Sequence, residues 1–210
     1  MSRIKSYIYS FIFLALICPN NLYAQVASGS LNGHDYVDLG LSVKWATCNV
    51  GATKPSDYGN YYAWGETSTK SSYTQDNSKT YNNDSYHYDI NSNSSLDAAT
   101  ANWGGSWRMP TEKEFQELLD NCTWTWTEQD GHDGYKVTSK NNGNSMFLPA
   151  AGGRRDTSLV LAGEYVYYWS STPVEGFPKY SYGLCLSYRD SLRMHTINRG
   201  CATTIRPVTR

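Results

Sequence analysis

Thr111-Glu112-Lys113-Glu114-Phe115-Gln116-Glu117-Leu118-Leu119-Asp120-Asn121 carries the clearest local signal in the chain, and the segments on either side of it decide the fold class. Thr111 and Glu114 form a capping box: the Thr hydroxyl accepts from the third residue of the helix and the Glu reaches back to the N-cap. Phe115, Leu118 and Leu119 then recur at spacings of three and four, which predicts one amphipathic helix over Glu112 to Asn121 with those three residues in the core. The pattern changes at Thr123-Trp124-Thr125-Trp126-Thr127, where Trp alternates with Thr at the period of a strand.

Strand signals continue downstream. Tyr135-Lys136-Val137-Thr138 and Ser145-Met146-Phe147-Leu148 flank the turn Asn141-Asn142-Gly143-Asn144, a hairpin pattern. Tyr165 to Ser170 reads as another strand. Tyr182 to Tyr188, Leu192 to Ile197 and Ala202 to Val208 read as a closing meander, with turns at Arg189-Asp190 and Asn198-Arg199-Gly200. Upstream, Tyr36-Val37-Asp38-Leu39 and Ser42-Val43-Lys44-Trp45-Ala46 are strands separated by Gly40, and Tyr61-Tyr62-Ala63-Trp64 is a short aromatic strand. Asp97 to Trp103 is a candidate short helix. Residues 67–95 are rich in Ser, Thr, Asn, Asp and Tyr without a hydrophobic period, and are expected to be a long surface excursion. Many short strands with one or two helices give an α+β class in which strands dominate.

Composition bounds the function. The 210 residues carry a formal net charge of −1 and include 18 Tyr. Met1 to Ala24 has the form of a signal peptide: Arg3 and Lys5 precede an apolar stretch from Ser6 to Ile17, Pro19 and Asn20 break it, and Ala24 offers a cleavage site. That stretch is short for a membrane span. Cys18 allows a lipoprotein alternative, although Ile17 is not the small residue such processing favours. Loss of Arg3 and Lys5 leaves a slightly acidic chain, which argues against nucleic acid and against an anionic membrane surface as partner. The expected organisation is a signal peptide over 1–24, a short flexible leader over 25–33 and a single domain over 34–210. Its location would be periplasmic, on the cell surface or secreted.

Cys48, Cys122, Cys185 and Cys201 remain in that domain, an even number for an oxidising compartment, with three possible connectivities. Pairing Cys48 with Cys122 and Cys185 with Cys201 is the expectation. A regular meander would place its first and third strands about 9–10 Å apart, beyond disulfide reach. Cys201 would therefore have to sit in the turn before its strand. None of these spacings suits zinc or a redox pair.

Several segments together resemble one family. They are Tyr36-Val37-Asp38-Leu39-Gly40-Leu41, Trp45-Ala46-Thr47-Cys48-Asn49-Val50-Gly51-Ala52, Tyr58-Gly59 and Tyr61-Tyr62-Ala63-Trp64-Gly65-Glu66. Trp107-Arg108-Met109-Pro110-Thr111, Leu148-Pro149-Ala150-Ala151-Gly152, Tyr168-Trp169-Ser170-Ser171-Thr172 and Ile205-Arg206-Pro207-Val208 complete the set. The chain resembles the Fibrobacter succinogenes major paralogous domain (FISUMP) over about residues 34–210. The resemblance implies an exported protein of Bacteroidetes-type bacteria and a C-type lectin-like fold, shared with formylglycine-generating sulfatase-modifying enzymes. It also implies a binding or adhesive protein.

Enzymatic signatures are missing. The formylglycine-generating relatives hold copper between two closely spaced cysteines, whereas Cys185 and Cys201 are well apart on different predicted strands and an Asn-Val-x-Glu-Trp segment is absent. His34, His87, His132 and His195 each stand alone, Glu66 and Glu164 have nothing to bring them together, and no hydrolase, zincin or phosphate-loop motif occurs. No catalytic residue, metal ligand or cofactor is assigned. The calcium signatures of lectins are also absent, and the Asp and Asn residues of Tyr81 to Asp89 suit a solvated loop. Trp45, Trp64, Trp103, Trp107 and Trp169 are expected in the core, each indole N–H with a partner.

In lectin-like folds the ligand face is built from long loops and late strands, which here implies Gly152 to Glu164, Pro173 to Tyr182 and the meander. Alternation in Leu192 to Ile197 turns Leu192 and Met194 inward and Arg193 and His195 outward. Tyr180, Tyr182, Arg189, Arg193, His195 and Arg199 are the candidate ligand contacts, since aromatic faces stack on sugar rings and Arg directs hydrogen bonds. The function expected is non-catalytic recognition of a glycan or surface protein. The alternative is a structural or adhesive subunit of a surface assembly.

Overall fold

In the computed structural model, which describes residues 26–189 and 191–210, Thr111 and Glu114 close the capping box. Thr111 Oγ1 accepts from Glu114 N at 3.2 Å and Glu114 Oε2 accepts from Thr111 N at 2.8 Å. Arg108 then grips the same carboxylate with both terminal nitrogens, at 2.8 and 2.5 Å, which fastens the Arg108-Met109-Pro110 approach to the helix start. The signal peptide and Cys18 lie outside the described residues, as does Asp190 of the Arg189-Asp190 turn.

In chain order, β1 (Gly29–Leu31), β2 (His34–Val37), β3 (Lys44–Ala46) and β4 (Tyr62–Ala63) lead to α1 (Ala98–Trp103) and α2 (Glu112–Asn121). Then follow β5 (Cys122–Gln129), β6 (His132–Ser139), β7 (Ser145–Pro149), β8 (Gly153–Arg155) and β9 (Ser158–Val160). Last come β10 (Tyr165–Pro173), β11 (Tyr180–Ser187), β12 (Met194–Asn198), β13 (Ala202–Thr203) and β14 (Val208–Thr209). Among the described residues these form four antiparallel sheets, ordered β1-β2-β3-β14, β5-β6-β7, β10-β11-β12 and β4-β13-β8-β9. The class is α+β with short, mainly antiparallel strands and two short helices. No helix among the described residues is long and apolar enough to cross a membrane.

α2 buries Phe115, Leu118 and Leu119 in a core shared with Trp45, Val137, Leu148, Val166, Leu184 and Leu186. Each such side chain contributes on the order of 1.5–3 kcal/mol on leaving water. A second cluster gathers Trp64, Trp107, Trp169, Ile90 and Ile205. The five tryptophans expected in the core are buried there. Trp64, Trp107 and Trp169 donate to the carbonyls of Ser170, Leu31 and Tyr62, but Trp45 Nε1 is buried without a partner among the described residues, which corrects the expectation for that indole. Trp124 and Trp126 are half-buried and meet Tyr135 edge-on.

Four expectations change. The leader is not a free segment, since Gly29–Leu31 pairs with Leu31↔His34 to Gly29↔Tyr36 register as β1. Residues 67–95, expected as a surface excursion, run as turns that pack down on the domain: Tyr73, Thr80 and Ile90 are buried, with Tyr73 Oη donating to Tyr61 O at 2.6 Å and Thr80 Oγ1 to Trp64 O at 2.7 Å. Asp97 ties their end to the core by capping α1 and accepting also from Ser92 N and Met109 N. The closing meander stops at β12, because the chain turns at Asn198–Gly200 and β13 joins β4 and β8 instead.

The fourth change concerns the cysteines: no disulfide joins Cys48, Cys122, Cys185 or Cys201. Cys122 opens β5 inside the main core, opposite Ser139, where burial pushes its pKa up to about 11 and disfavours the thiolate that oxidation requires. Cys48 is half-buried in the turn after β3, its sulfur 3.6 Å from the Thr47 hydroxyl.

His34 stacks on Trp103, ring centroids 3.7 Å apart and nearly parallel. Burial lowers its pKa from 6.5, with Asp35 opposing that fall. The native state thus favours the neutral ring, so its contribution is complete above pH 6.5 and is lost as pH falls from there through the lower folded value. The melting temperature is expected to drop between pH 7 and pH 5, and to drop less in His34→Phe. Parallel melting curves check it; equal drops in the two proteins contradict it.

Candidate functional site

Tyr167 faces the same side of its sheet as its neighbour Cys185, and on the next rung Gly183 faces His195. Gly183 lets Ile197 and the Tyr168 carbonyl pack down on this surface: a Cβ there would lie 2.5 Å from Ile197 Cδ1 and 2.6 Å from Tyr168 O. The opposite wall is the β8–β9 hairpin, held by the Ala202↔Arg154 pairing to β13. The resulting groove holds about 230 Å³ and is lined among others by Arg154, Tyr167, Cys185, His195, Asn198 and Cys201.

Tyr165 stacks beside Tyr167 with ring centroids 5.6 Å apart and planes 15° from parallel, so the two rings form a platform. Both sit at alternate positions of β10, while Val166 and Tyr168 between and after them enter the core. Burial, and then the hydrogen bond to Cys185, raise the Tyr167 pKa well above its ordinary value. The phenol is therefore a proton donor at any physiological pH. Arg154 lies over the Tyr61 ring, 5.6 Å from its centroid. Neither Arg154 nor Arg155 forms an ion pair among the described residues. The site can therefore offer an aromatic face, hydroxyl and amide groups and unneutralised guanidinium groups.

The six candidate contacts do not form one site. His195 lines the groove, and Arg193 lies beside it, exposed, its Nε 3.4 Å from His195 Nε2. Met194 turns inward against the core as expected, but Leu192 precedes the strand and is 42% exposed, correcting its inward assignment. Tyr180 and Tyr182 share the strand parity of Leu184 and so turn to the sheet face opposite Cys185, away from the groove. Arg189 is exposed and folds onto its neighbour, 4.8 Å over the Tyr188 ring.

Arg199 is a correction of another kind, because it is 0% exposed. It stacks 4.0 Å over Trp64 and donates to Tyr180 O, Ser181 Oγ, Thr80 O and Tyr86 O. Burial lowers its pKa to about 10. With no carboxylate among these partners, it serves as a staple between the 67–95 segment and the late strands rather than as a ligand contact.

The fold also brings Cys185 and Cys201 into one groove, although their separation in the sequence had set them apart. Cys201 follows the turn after β12, as a Cys185–Cys201 pairing would need, yet the two are not bonded. Among the described residues no group of three or more His, Cys, Asp or Glu side chains could hold a metal ion. Asp89, in the segment considered for calcium, is committed to the Thr172 hydroxyl at 2.7 Å and to Asn91 N.

Sequence reasoning missed Tyr167 and Arg154. The alternation Tyr165-Val166-Tyr167-Tyr168 carried a signal for the first. Nothing local marked the second, whose place depends on pairing with Ala202. No family model, curated protein or solved structure matches the chain.

Proposed function

We propose that the protein is an exported, non-catalytic, lectin-like domain that recognises a glycan through the groove beside Tyr167. The observation that carries this reading is the convergence of Tyr167, Arg154, His195 and Asn198 on one concave surface, with Tyr165 stacked beside Tyr167. An ordinary solvated sheet face would spread such groups over a convex surface. Aromatic faces stack on the apolar side of a sugar ring, while Arg and amide groups fix its hydroxyls. The volume of about 230 Å³ suits one ring, being below the roughly 300–1,000 Å³ of drug-sized pockets.

Membership of the FISUMP family and a C-type lectin-like fold belong to the same proposal. Support comes from the quoted motifs, from the antiparallel strands with two short helices, and from the groove's use of the Gly152–Glu164 segment and late strands. Arg3 and Lys5, the apolar stretch and Ala24 of the N-terminus support export to the periplasm, the cell surface or the medium. A glycan array run with and without calcium tests the reading. Retention of specific glycans that survives calcium removal is expected; a blank array in both conditions rejects it.

A second reading, a structural or adhesive subunit of a surface assembly, is favoured by exposed apolar side chains, with Phe177 62% exposed and Leu161 at the groove's rim 41% exposed. Self-association that grows with protein concentration would favour it over the first.

A further inference from the structure

The groove does not end at Cys201. A second hollow of about 580 Å³ lies against it and shares Arg155, Asn198 and Cys201 with the first. Its far side is the 67–95 segment, brought close by Gly200, where a Cβ would lie 2.7 Å from Gln75 Cγ. The antiparallel bridge Tyr73↔Asp156 fixes that approach, with backbone bonds of 2.9 and 2.8 Å.

The two hollows differ in chemistry. The first is lined by the Tyr167 ring and by Arg154 and Arg155, and no carboxylate lines it. The second is walled by Thr74, Gln75, Asp76, Asp156 and Asn198, which can donate to and accept from hydroxyls. Volume decides the size of the occupant. The first takes one ring, and the second, within the roughly 300–1,000 Å³ range of small-molecule sites, takes at least one more.

Resting on the glycan reading above, we infer that the site binds an acidic oligosaccharide of two or more residues, its anionic sugar in the first hollow against Arg154 and Arg155. A neutral sugar occupies the second hollow against Gln75, Asp76 and Asn198. A guanidinium recognises a carboxylate or a sulfate by two parallel N–H···O bonds, and here no protein acid competes for Arg154. Both anionic groups share this chemistry, and the experiment separates them. The acidic second hollow places the charged sugar by repelling it from the other end.

The test is calorimetric titration of the purified protein with three trisaccharides: one with a single terminal galacturonic acid on two neutral galactoses, its carboxyl-reduced form, and that neutral trisaccharide O-sulfated once on its terminal sugar. The inference expects at least one acidic probe to bind about tenfold or more tightly than the neutral one, a difference of about 1.4 kcal/mol. Arg154→Gln should abolish that preference, and Arg189→Gln, outside the groove, should leave it intact. Arg155→Gln, at an exposed position, should narrow the preference and serves if Arg154→Gln does not fold. The acid preferred identifies carboxylate or sulfate. Equal binding of acidic and neutral probes overturns the inference and leaves the glycan reading standing. Binding of no probe, with a blank glycan array, overturns both.

Discussion

Arg206→Leu is expected to unfold the domain or to lower its stability by about 4 kcal/mol or more. The side chain is 0% exposed and carries no ion pair; its charge is answered by acceptors alone. Nε donates to Asn49 Oδ1 at 2.8 Å, Nη2 to Phe147 O at 2.9 Å, and Nη1 to Ala46 O at 3.0 Å and also to Thr47 O. Four acceptors from two separate segments, 46–49 and β7, are thus satisfied by one group. Leucine would remove all of these bonds from the interior, at roughly 1–3 kcal/mol each before relaxation. Against a total stability of about 5–15 kcal/mol, part of that loss is enough to empty the native state. Arg206→Lys should fall between, because an ammonium cannot reach all four. Urea unfolding of the three proteins checks the order; a Leu variant within 1 kcal/mol of the parent would show that the acceptors find other partners.

Gly152→Ala is expected to cost about 2–5 kcal/mol, and to weaken ligand binding further than the stability loss explains. Gly152 has φ +59°, and a Cβ would press on the Val160 carbonyl and lie 2.5 Å from Ala162 N. Both obstacles are backbone, so neither can rotate away. Relief requires the β8–β9 hairpin to move, and that hairpin is the wall carrying Arg154. Gly163 is the control, with φ +81° and nothing within 4 Å of a Cβ. Gly163→Ala should cost only the backbone component, about 1–2 kcal/mol. Denaturant midpoints for the pair separate clash from conformation, and equal losses would mean that the hairpin yields freely.

These two residues also show what could be read in advance. The capping box at Thr111 and the spacing of Phe115, Leu118 and Leu119 are local, so α2 was legible with its boundaries, and the Asn141–Asn144 turn likewise announced the β6–β7 hairpin. Arg199 and Arg206 were not legible as core residues. By type they belong on the surface, and their burial depends on carbonyls from Thr80, Tyr86, Ala46 and Phe147, distant in the chain.

Burying Arg199 has a consequence for topology. Its hydrogen bonds hold the Asn198–Gly200 turn against the 67–95 segment, and the strand that follows leaves the meander for β4 and β8. The groove exists because of that departure. The resemblance had pointed to the late strands and alternation to His195, and residues of both line the groove. Its chemistry was not: Arg154 arrives by pairing with Ala202, and the even count of cysteines said nothing about whether their sulfurs meet.

The central claim is that the groove beside Tyr167 is the glycan site. Its most direct test is retention of Tyr167→Ala beside the parent protein on one glycan array, with melting curves to confirm that both are folded. The parent should be retained by specific glycans, and the variant should lose about tenfold or more of that binding, as expected for the loss of one stacking face. A folded variant retained as well as the parent would contradict the account.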